Sequence, residues 1–219
     1  IPKDKSNFIL SEKSISVTNL VNGTTRLQPV CLLIGQASGV LAALSVKENK
    51  SPENVPIRKV QMELLEAGAF LMPYSDISID DFGFNAMQKV GATGILRGEG
   101  KNVGWENHTH IYPNELLTSN DLKAGLEDWI ILNQKDFDSE FPKHNEVVNL
   151  FHNLLKKHGT LKRKSIIKKE INSISKMHGF KFVSKADTLT RMQFAVLIDF
   201  IVNPFQLRDI NHNGEFLSP

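Results

Sequence analysis

The stretch GTTRLQPVCLLIGQASGVLAAL, residues 23–44, brings together the residue types of this chain that could do chemistry. It places Arg26, the single cysteine Cys31 and three glycines where a long apolar helix begins. Backbone amides at a helix start carry partial positive charge, and small residues let a planar ligand approach them. An arginine adds a fork of donors that suits a carboxylate or a phosphate. The stretch therefore predicts a helix start that faces an anionic or electron-rich ring edge, with a tightly packed helix and a surface arginine as the alternative.

The element that would carry these residues is a helix over about residues 30–47. Gly35 and Gly39 share one face of it, and each glycine costs roughly 1 kcal/mol relative to alanine. Close packing against a strand, another helix or a ligand would explain that cost. The apolar run is short and interrupted by polar residues, which predicts a buried helix and no membrane span. The apolar residues 7–10, NFIL, predict a short buried strand ahead of it.

A second helix is predicted to begin at Pro56 and to end before Gly68, because proline favours the first helical position and glycine the position after the last. Residues 72–80 break both the helical and the strand period, which predicts a linker. The predicted fold class is mainly α (α+β), with a region 1–72 and a helical region 73–219 that holds degenerate repeats 78–133 and 143–204. Five apolar stripes predict the later helices: Phe84 to Val90, Leu122 to Ile130 with Thr118 or Ser119 as N-cap, Val147 to Leu155, Ile167 to Ile174, and Phe194 to Ile201.

The composition is that of an ordinary globular chain, with 41% hydrophobic and 23% charged residues and a net charge of +2. Residues 156–169 hold seven basic residues and no acidic one, without interleaved aromatic side chains. This pattern favours a solvated helix face and no nucleic-acid partner, while an acidic wall polymer stays open as a partner. The single cysteine excludes an internal disulfide and a cysteine-based zinc site, and a packed thiol is expected.

Two short motifs resemble metal-binding patterns, and neither is expected to bind a metal. His108 and His110 form a His-x-His pair without a third ligand at an evident spacing, which favours a solvated loop. DINHNG, residues 209–214, matches the first half of a calcium loop, but the sequence ends at Pro219, before the acidic twelfth position. A turn is therefore predicted there.

Residues 7–71 closely resemble the C-terminal end of the FAD-dependent oxidoreductase family of bacterial secreted and carbohydrate-related gene neighbourhoods. A Gly-x-x-Arg-hydrophobic-x-Pro loop, residues 23–29, leads into a helix with a Gly-Gln-Ala-small-Gly motif, residues 35–39. More distantly, residues 23–27 resemble the Gly-x-Asn-Arg-Leu segment of fumarate reductase and succinate dehydrogenase flavoproteins. One departure is Ser11-Glu12-Lys13, where the family usually has a glycine beside a charged residue.

The resemblance implies FAD as the cofactor of a full-length parent protein, and Arg26 as a catalytic residue directed at the substrate or the cofactor. The G-x-G-x-x-G turn that holds the pyrophosphate of FAD is absent, and GEGKNVG, residues 98–104, is predicted as a loop. The chain, which begins without a methionine, would then be a fragment that forms one wall of the flavin site and is inactive alone. Its implied partners are the N-terminal remainder of the flavin domain and a small-molecule or carbohydrate-related substrate. The implied cofactor-binding residues are Gly23, Thr25, Leu27, Gln28, Val30, Cys31 and Gly35.

Residues 82–126 resemble S-layer homology modules, with a helix, a Gly-Ile-x-x-Gly turn, an aromatic-Pro pair and a Thr-capped helix. Asn120 stands where these modules carry an arginine. The resemblance implies the alternative function, a non-catalytic module that binds cell wall or glycan or is purely structural. It also implies a bacterial exported protein, periplasmic or at the cell surface. The residues that carry it are Phe84, Gly94, Ile95, Gly98, Tyr112, Pro113 and Thr118.

Overall fold

The computed structural model describes residues 1–2, 5–132, 136–184 and 186–217. About half of the chain is helical and the described residues form one two-stranded sheet, so the prediction of a mainly α (α+β) fold is confirmed. The chain divides into two compact units, the first made of Ile1–Phe70 and the segment that begins at Arg208, the second of Leu71–Leu207. The regions 1–72 and 73–219 and their repeats stay predictions, although the segment from Arg208 clusters here with the first unit rather than the second.

The described residues of the first unit form three α helices: α1 (Asn19–Thr25), α2 (Gln28–Glu48) and α3 (Ile57–Glu66). The Thr18 side chain caps α1 by accepting a hydrogen bond from the Val21 N–H group. Asn49 ends α2 in the left-handed conformation, at φ 51°. The two helices predicted in this region are confirmed, and α1 is an addition to them.

The expectation that α2 is a buried helix is wrong. The small core of this unit joins the C-terminal half of α2, through Leu44, to Val55 and Val60, and of the residues of α2 only Leu44 is buried. Leu32 is 76% exposed and Val46 84%. Apolar composition predicts burial only where a neighbouring element exists to cover the helix, and in this unit α3 covers one part of it. By length and composition alone α2 could also cross a membrane, with a mean hydropathy of 1.8, and the expectation of no membrane span stays a prediction.

The strand expected at residues 7–10 is not formed. Residues 8–10 have no regular structure, and Phe8 is 51% exposed. A strand is stable only when its backbone N–H and C=O groups pair with a neighbouring strand. No described residue pairs with this segment in that way.

The second unit is mostly helical, and each predicted stripe falls on a helix. The stripe from Leu122 continues past the end of its helix, so that Trp129 lies in the following turn as a fully buried side chain. The elements are α4 (Phe84–Ala92), β1 (Glu99–Val103), β2 (Glu106–His110), α5 (Ser119–Leu126), α6 (His144–Lys157), α7 (Lys164–Met177), α8 (Arg191–Ile201) and the short α9 (Pro204–Leu207).

The loop predicted at residues 98–104 is wrong, because most of it is β1, which pairs antiparallel with β2. Both faces of this hairpin are largely polar, so it lacks the alternation of apolar and polar residues by which strands are recognised in a sequence. His108 and His110 accordingly lie on a strand rather than in a loop.

Two helices of the second unit begin in the same way. Thr118 caps α5 and Thr190 caps α8, each in a reciprocal capping box with the third residue of its helix. An antiparallel bridge joins Leu116 to Thr190, so the two helix starts lie side by side. The N-cap prediction at Thr118 is confirmed, while the S-layer homology resemblance stays a prediction.

Candidate functional site

The residues singled out by the sequence meet at the α1–α2 corner, which we define as residues 23–35. α1 ends at Thr25 and α2 begins at Gln28, so only Arg26 and Leu27 connect the two helices. Arg26 closes α1, its N–H group donating to the Asn22 carbonyl oxygen over 3.3 Å. Both connecting residues are exposed, Leu27 by 55%. The corner therefore presents one cation and one apolar side chain side by side.

Gly23 and Thr25 lie on a helix and not in the loop that the sequence motif predicts. Gly23 and Thr24 have low helix propensity, so the motif alone gave no sign of a helix there. The signal that could have found α1 is Thr18, an N-cap residue followed at once by helix-compatible residues. The helix shortens the connection to two residues and brings the end of α1 against the start of α2.

The start of α2 has no side-chain cap among the described residues. Its N-cap, Leu27, is extended, and the Cys31 N–H group donates to the Leu27 carbonyl oxygen over 3.0 Å. Pro29 has no N–H group, while those of Gln28 and Val30 precede the first hydrogen bond of the helix. The positive end of the α2 dipole therefore lies at the corner, where it favours a negatively charged group.

Cys31 ties the two helices together. Its thiol lies 3.6 Å from the Thr25 carbonyl oxygen, the last residue of α1, and is half-buried. This contact fits the expected packed thiol. It also holds Thr25 next to the first turn of α2, while the grouping of the eight predicted site residues into one binding surface stays a prediction.

Gly23 and Gly35 of the corner, and Gly39 one turn further along α2, face open space. A Cβ atom added at Gly23, Gly35 or Gly39 would meet no atom within 4 Å. Packing within the described chain therefore does not explain why α2 carries two glycines, each of which costs roughly 1 kcal/mol relative to alanine. Of the expected explanations, a strand or helix within the described chain is therefore excluded, and a ligand stays a prediction.

Several large apolar side chains of α1 and of the first part of α2 are exposed. Leu20 is 92% exposed and Leu33 56%, in addition to Leu27 and Leu32. Single exposed apolar residues are ordinary, but these leucines all fall within residues 20–33, which favours a segment that another molecule or segment covers. The corner thus combines an apolar surface, uncapped amide groups and one guanidinium, a set that can hold a flat, partly anionic ring system.

The other candidate sites show no such combination. The described residues contain no group of three or more His, Cys, Asp and Glu side chains placed to hold a metal. His108 pairs instead with Glu106, at 2.9 Å. At residues 209–214 the Asn211 side chain accepts hydrogen bonds from the Asn213 and Glu215 N–H groups, which confirms the predicted turn.

Comparison with known proteins supports the resemblance of the first region to FAD-dependent oxidoreductases. Residues 1–64 of the 219 match the model of the family described as FAD dependent oxidoreductase. This stretch, which contains the whole α1–α2 corner, is therefore an FAD-dependent oxidoreductase-family region. No curated protein and no solved structure matches the chain.

Proposed function

We propose that this chain is the C-terminal fragment of an FAD-dependent oxidoreductase and that its α1–α2 corner forms one wall of the flavin site. The observation that carries the proposal is the set of glycines that face open space beside exposed leucines, within a region that matches the family. A cofactor and the segments around it would occupy that space. The same arrangement has no evident purpose in a helix that is simply packed.

The corner would contact FAD at one edge only, that of the flavin ring. The backbone of Leu27, Gln28, Val30 and Cys31 would border the flavin ring, with Gly23, Thr25 and Gly35 leaving room for it. A bound flavin accepts and returns a hydride or electrons, and the dipole of α2 favours the negative charge that it then carries. The G-x-G-x-x-G turn for the pyrophosphate is absent from the sequence, so an N-terminal remainder of the flavin domain must supply it.

Arg26 would bind the substrate or the cofactor through its side chain. Its guanidinium is a fixed cation at the exposed corner, with planar donors that suit a substrate carboxylate or the cofactor. It would orient a small organic or carbohydrate-related substrate against the ring. The parent protein would be a bacterial exported enzyme, and the isolated chain would not catalyse the reaction.

The substitution Gly35→Leu tests this role. In the 219-residue chain alone it is expected to leave stability unchanged or to raise it by up to about 1 kcal/mol, because the site is open and leucine favours the helix. In a longer polypeptide that includes the N-terminal remainder of the flavin domain, it is expected to abolish retention of FAD. The measurements are chemical denaturation of the first and the visible spectrum of the second after desalting.

Ala43→Leu, on an exposed position farther along the same helix, is the matched control and is expected to retain the flavin. Arg26→Ala is expected to weaken retention of FAD or of a carboxylate substrate without changing the stability of the isolated chain. Equal flavin content in the Gly35→Leu and Ala43→Leu proteins would contradict the proposal.

A further inference from the structure

The β1–β2 hairpin of the second unit contributes little to the core. All five residues of β1 are exposed, and those of β2 are exposed or half-buried. A two-stranded hairpin is marginally stable alone, so this one depends on its base. There Tyr74 forms a parallel bridge to Thr109, and the Ser75 N–H group donates to the Thr109 carbonyl oxygen over 2.9 Å. The hairpin therefore extends from the rest of the second unit and adds little to its packing.

Trp105 lies at the tip of this hairpin and is fully exposed, at 104% of its reference surface. Tryptophan has the largest apolar surface of any side chain and is the residue most enriched at the centres of binding surfaces. The neighbouring Val103 is 55% exposed. An indole held in water at the end of an ordered hairpin indicates a binding role.

Three further rings follow Trp105 in the sequence, His108 and His110 on β2 and Tyr112 just after its end. The ring centroids of His108 and His110 are 5.9 Å apart, and those of His110 and Tyr112 are 5.6 Å apart, both edge to face. In the antiparallel register Lys101 pairs with His108 and Glu99 with His110, so these side chains share one face of the hairpin.

The row of rings is held in place by polar contacts. The Asp76 carboxylate accepts a hydrogen bond from the Tyr112 N–H group over 2.7 Å and fixes this residue at φ 52°. The Tyr112 hydroxyl donates to Glu99 over 2.7 Å, and the Lys101 ammonium lies 4.8 Å from the tyrosine ring. A preordered surface loses little conformational entropy when it binds.

We propose that this hairpin, with Trp105 at its tip and the rings of His108, His110 and Tyr112 in a row, binds a neutral polysaccharide. Aromatic rings stack on the C–H faces of sugar rings, and a row of them suits an extended chain of sugars. The imidazole and phenol groups of these rings, and the carboxylates beside them, can form hydrogen bonds with the hydroxyl groups of the sugars.

The charge and the apolar surface of the hairpin favour a neutral polysaccharide over a polyanion, a membrane or a protein. Glu99 and Glu106 carry two carboxylates on the face against the single ammonium of Lys101, so the charge of the paired strands disfavours a polyanion or an anionic membrane. Apart from Trp105, only Val103 adds apolar surface at the tip, too little for the apolar centre of a protein interface. A ligand rich in hydroxyl groups and without charge meets both conditions.

Tryptophan fluorescence of the 219-residue chain tests the proposal directly. The chain has two tryptophans, and Trp129 is 1% exposed, so acrylamide quenches Trp105 almost alone. Soluble xylan, mannan and mixed-linkage β-glucan are the neutral probes, polygalacturonate is the acidic one, and vesicles containing phosphatidylglycerol are the membrane probe. At least one neutral glycan is expected to protect Trp105 from quenching, while polygalacturonate and the vesicles give no protection.

Affinity electrophoresis in the protecting glycan then identifies the residue. Trp105→Ala is expected to weaken the retardation about tenfold. Phe82→Ala removes another exposed aromatic ring of the same unit, 53% exposed, and is expected to bind like the unmodified chain. The proposal is overturned if no neutral glycan protects Trp105, if only polygalacturonate or the vesicles do, or if Trp105→Ala is retarded as strongly as Phe82→Ala.

Discussion

Replacing Arg191 by lysine is expected to lower the free energy of unfolding of the second unit by about 3 kcal/mol or more, because it breaks a buried charge network. Arg191 is 6% exposed, and its three nitrogens make three contacts of 2.7 Å each. Nε donates to the Ile111 carbonyl oxygen, one Nη to the Arg97 carbonyl oxygen, and the other Nη pairs with the Asp121 carboxylate. A lysine has no planar fork and cannot reach all three.

Asp121 shows what depends on this network. Burial alone would raise the pKa of Asp121, but hydrogen bonds from the Thr118 hydroxyl and N–H group, together with Arg191, hold it below its ordinary value. The same carboxylate completes the capping box at the start of α5. Loss of Arg191 therefore leaves two carbonyl oxygens without this donor and weakens a helix cap.

The matched control is Arg97→Ala. The Arg97 side chain pairs with Glu127 at 2.7 Å, but both are more than half exposed, so the change is expected to cost less than about 1 kcal/mol. It leaves the Arg97 carbonyl oxygen in place for Arg191. Chemical denaturation measures the free energy of unfolding of both variants. If the Arg191→Lys protein is as stable as the Arg97→Ala protein, the Arg191 network does not contribute the expected stability.

The substitution Gly125→Ala is expected to destabilise the second unit by about 3 kcal/mol or more, at the upper end of overpacking effects. A Cβ atom at this position of α5 would lie 1.8 Å from the Ile95 carbonyl oxygen and 2.6 Å from its carbon. These are backbone atoms that cannot rotate away, so α5 would have to move.

The substitution Gly39→Ala is expected to have the opposite effect on the stability of the first unit. Gly39 is also helical, but its added Cβ would meet nothing within 4 Å, so alanine is expected to stabilise by up to about 1 kcal/mol. Denaturation curves of the two variants are compared. Shifts of the same sign would contradict the packing described for α5.

Most helices of this protein could be predicted from the sequence, because their stability comes from apolar stripes and caps that are local. The stripe of Val147 to Leu155 and the cap at Thr118 are examples, and both fall where α6 and α5 have them. The β1–β2 hairpin could not be predicted in this way, because it packs few of its side chains and thus carries no apolar alternation. Its ring row became visible only through the strand register.

The candidate site residues come from a sequence motif within residues 23–35, and their role in a flavin site stays a prediction. Their geometry could be predicted only in part. The helical end of α1 and the contact of Cys31 with Thr25 depend on how the chain turns at Arg26, which the motif does not encode. The exposure of α2 was missed because burial depends on neighbours, and composition says nothing of which neighbours a chain contains.

The visible absorption spectrum tests the central claim most directly. It would be recorded for the 219-residue chain and for a longer polypeptide with the N-terminal remainder of the flavin domain, each mixed with FAD and desalted. The account predicts no flavin band in the chain alone and a clear band in the longer polypeptide. A band retained by the 219-residue chain, or a colourless longer polypeptide, would contradict the claim that the α1–α2 corner is one wall of a flavin site completed by another segment.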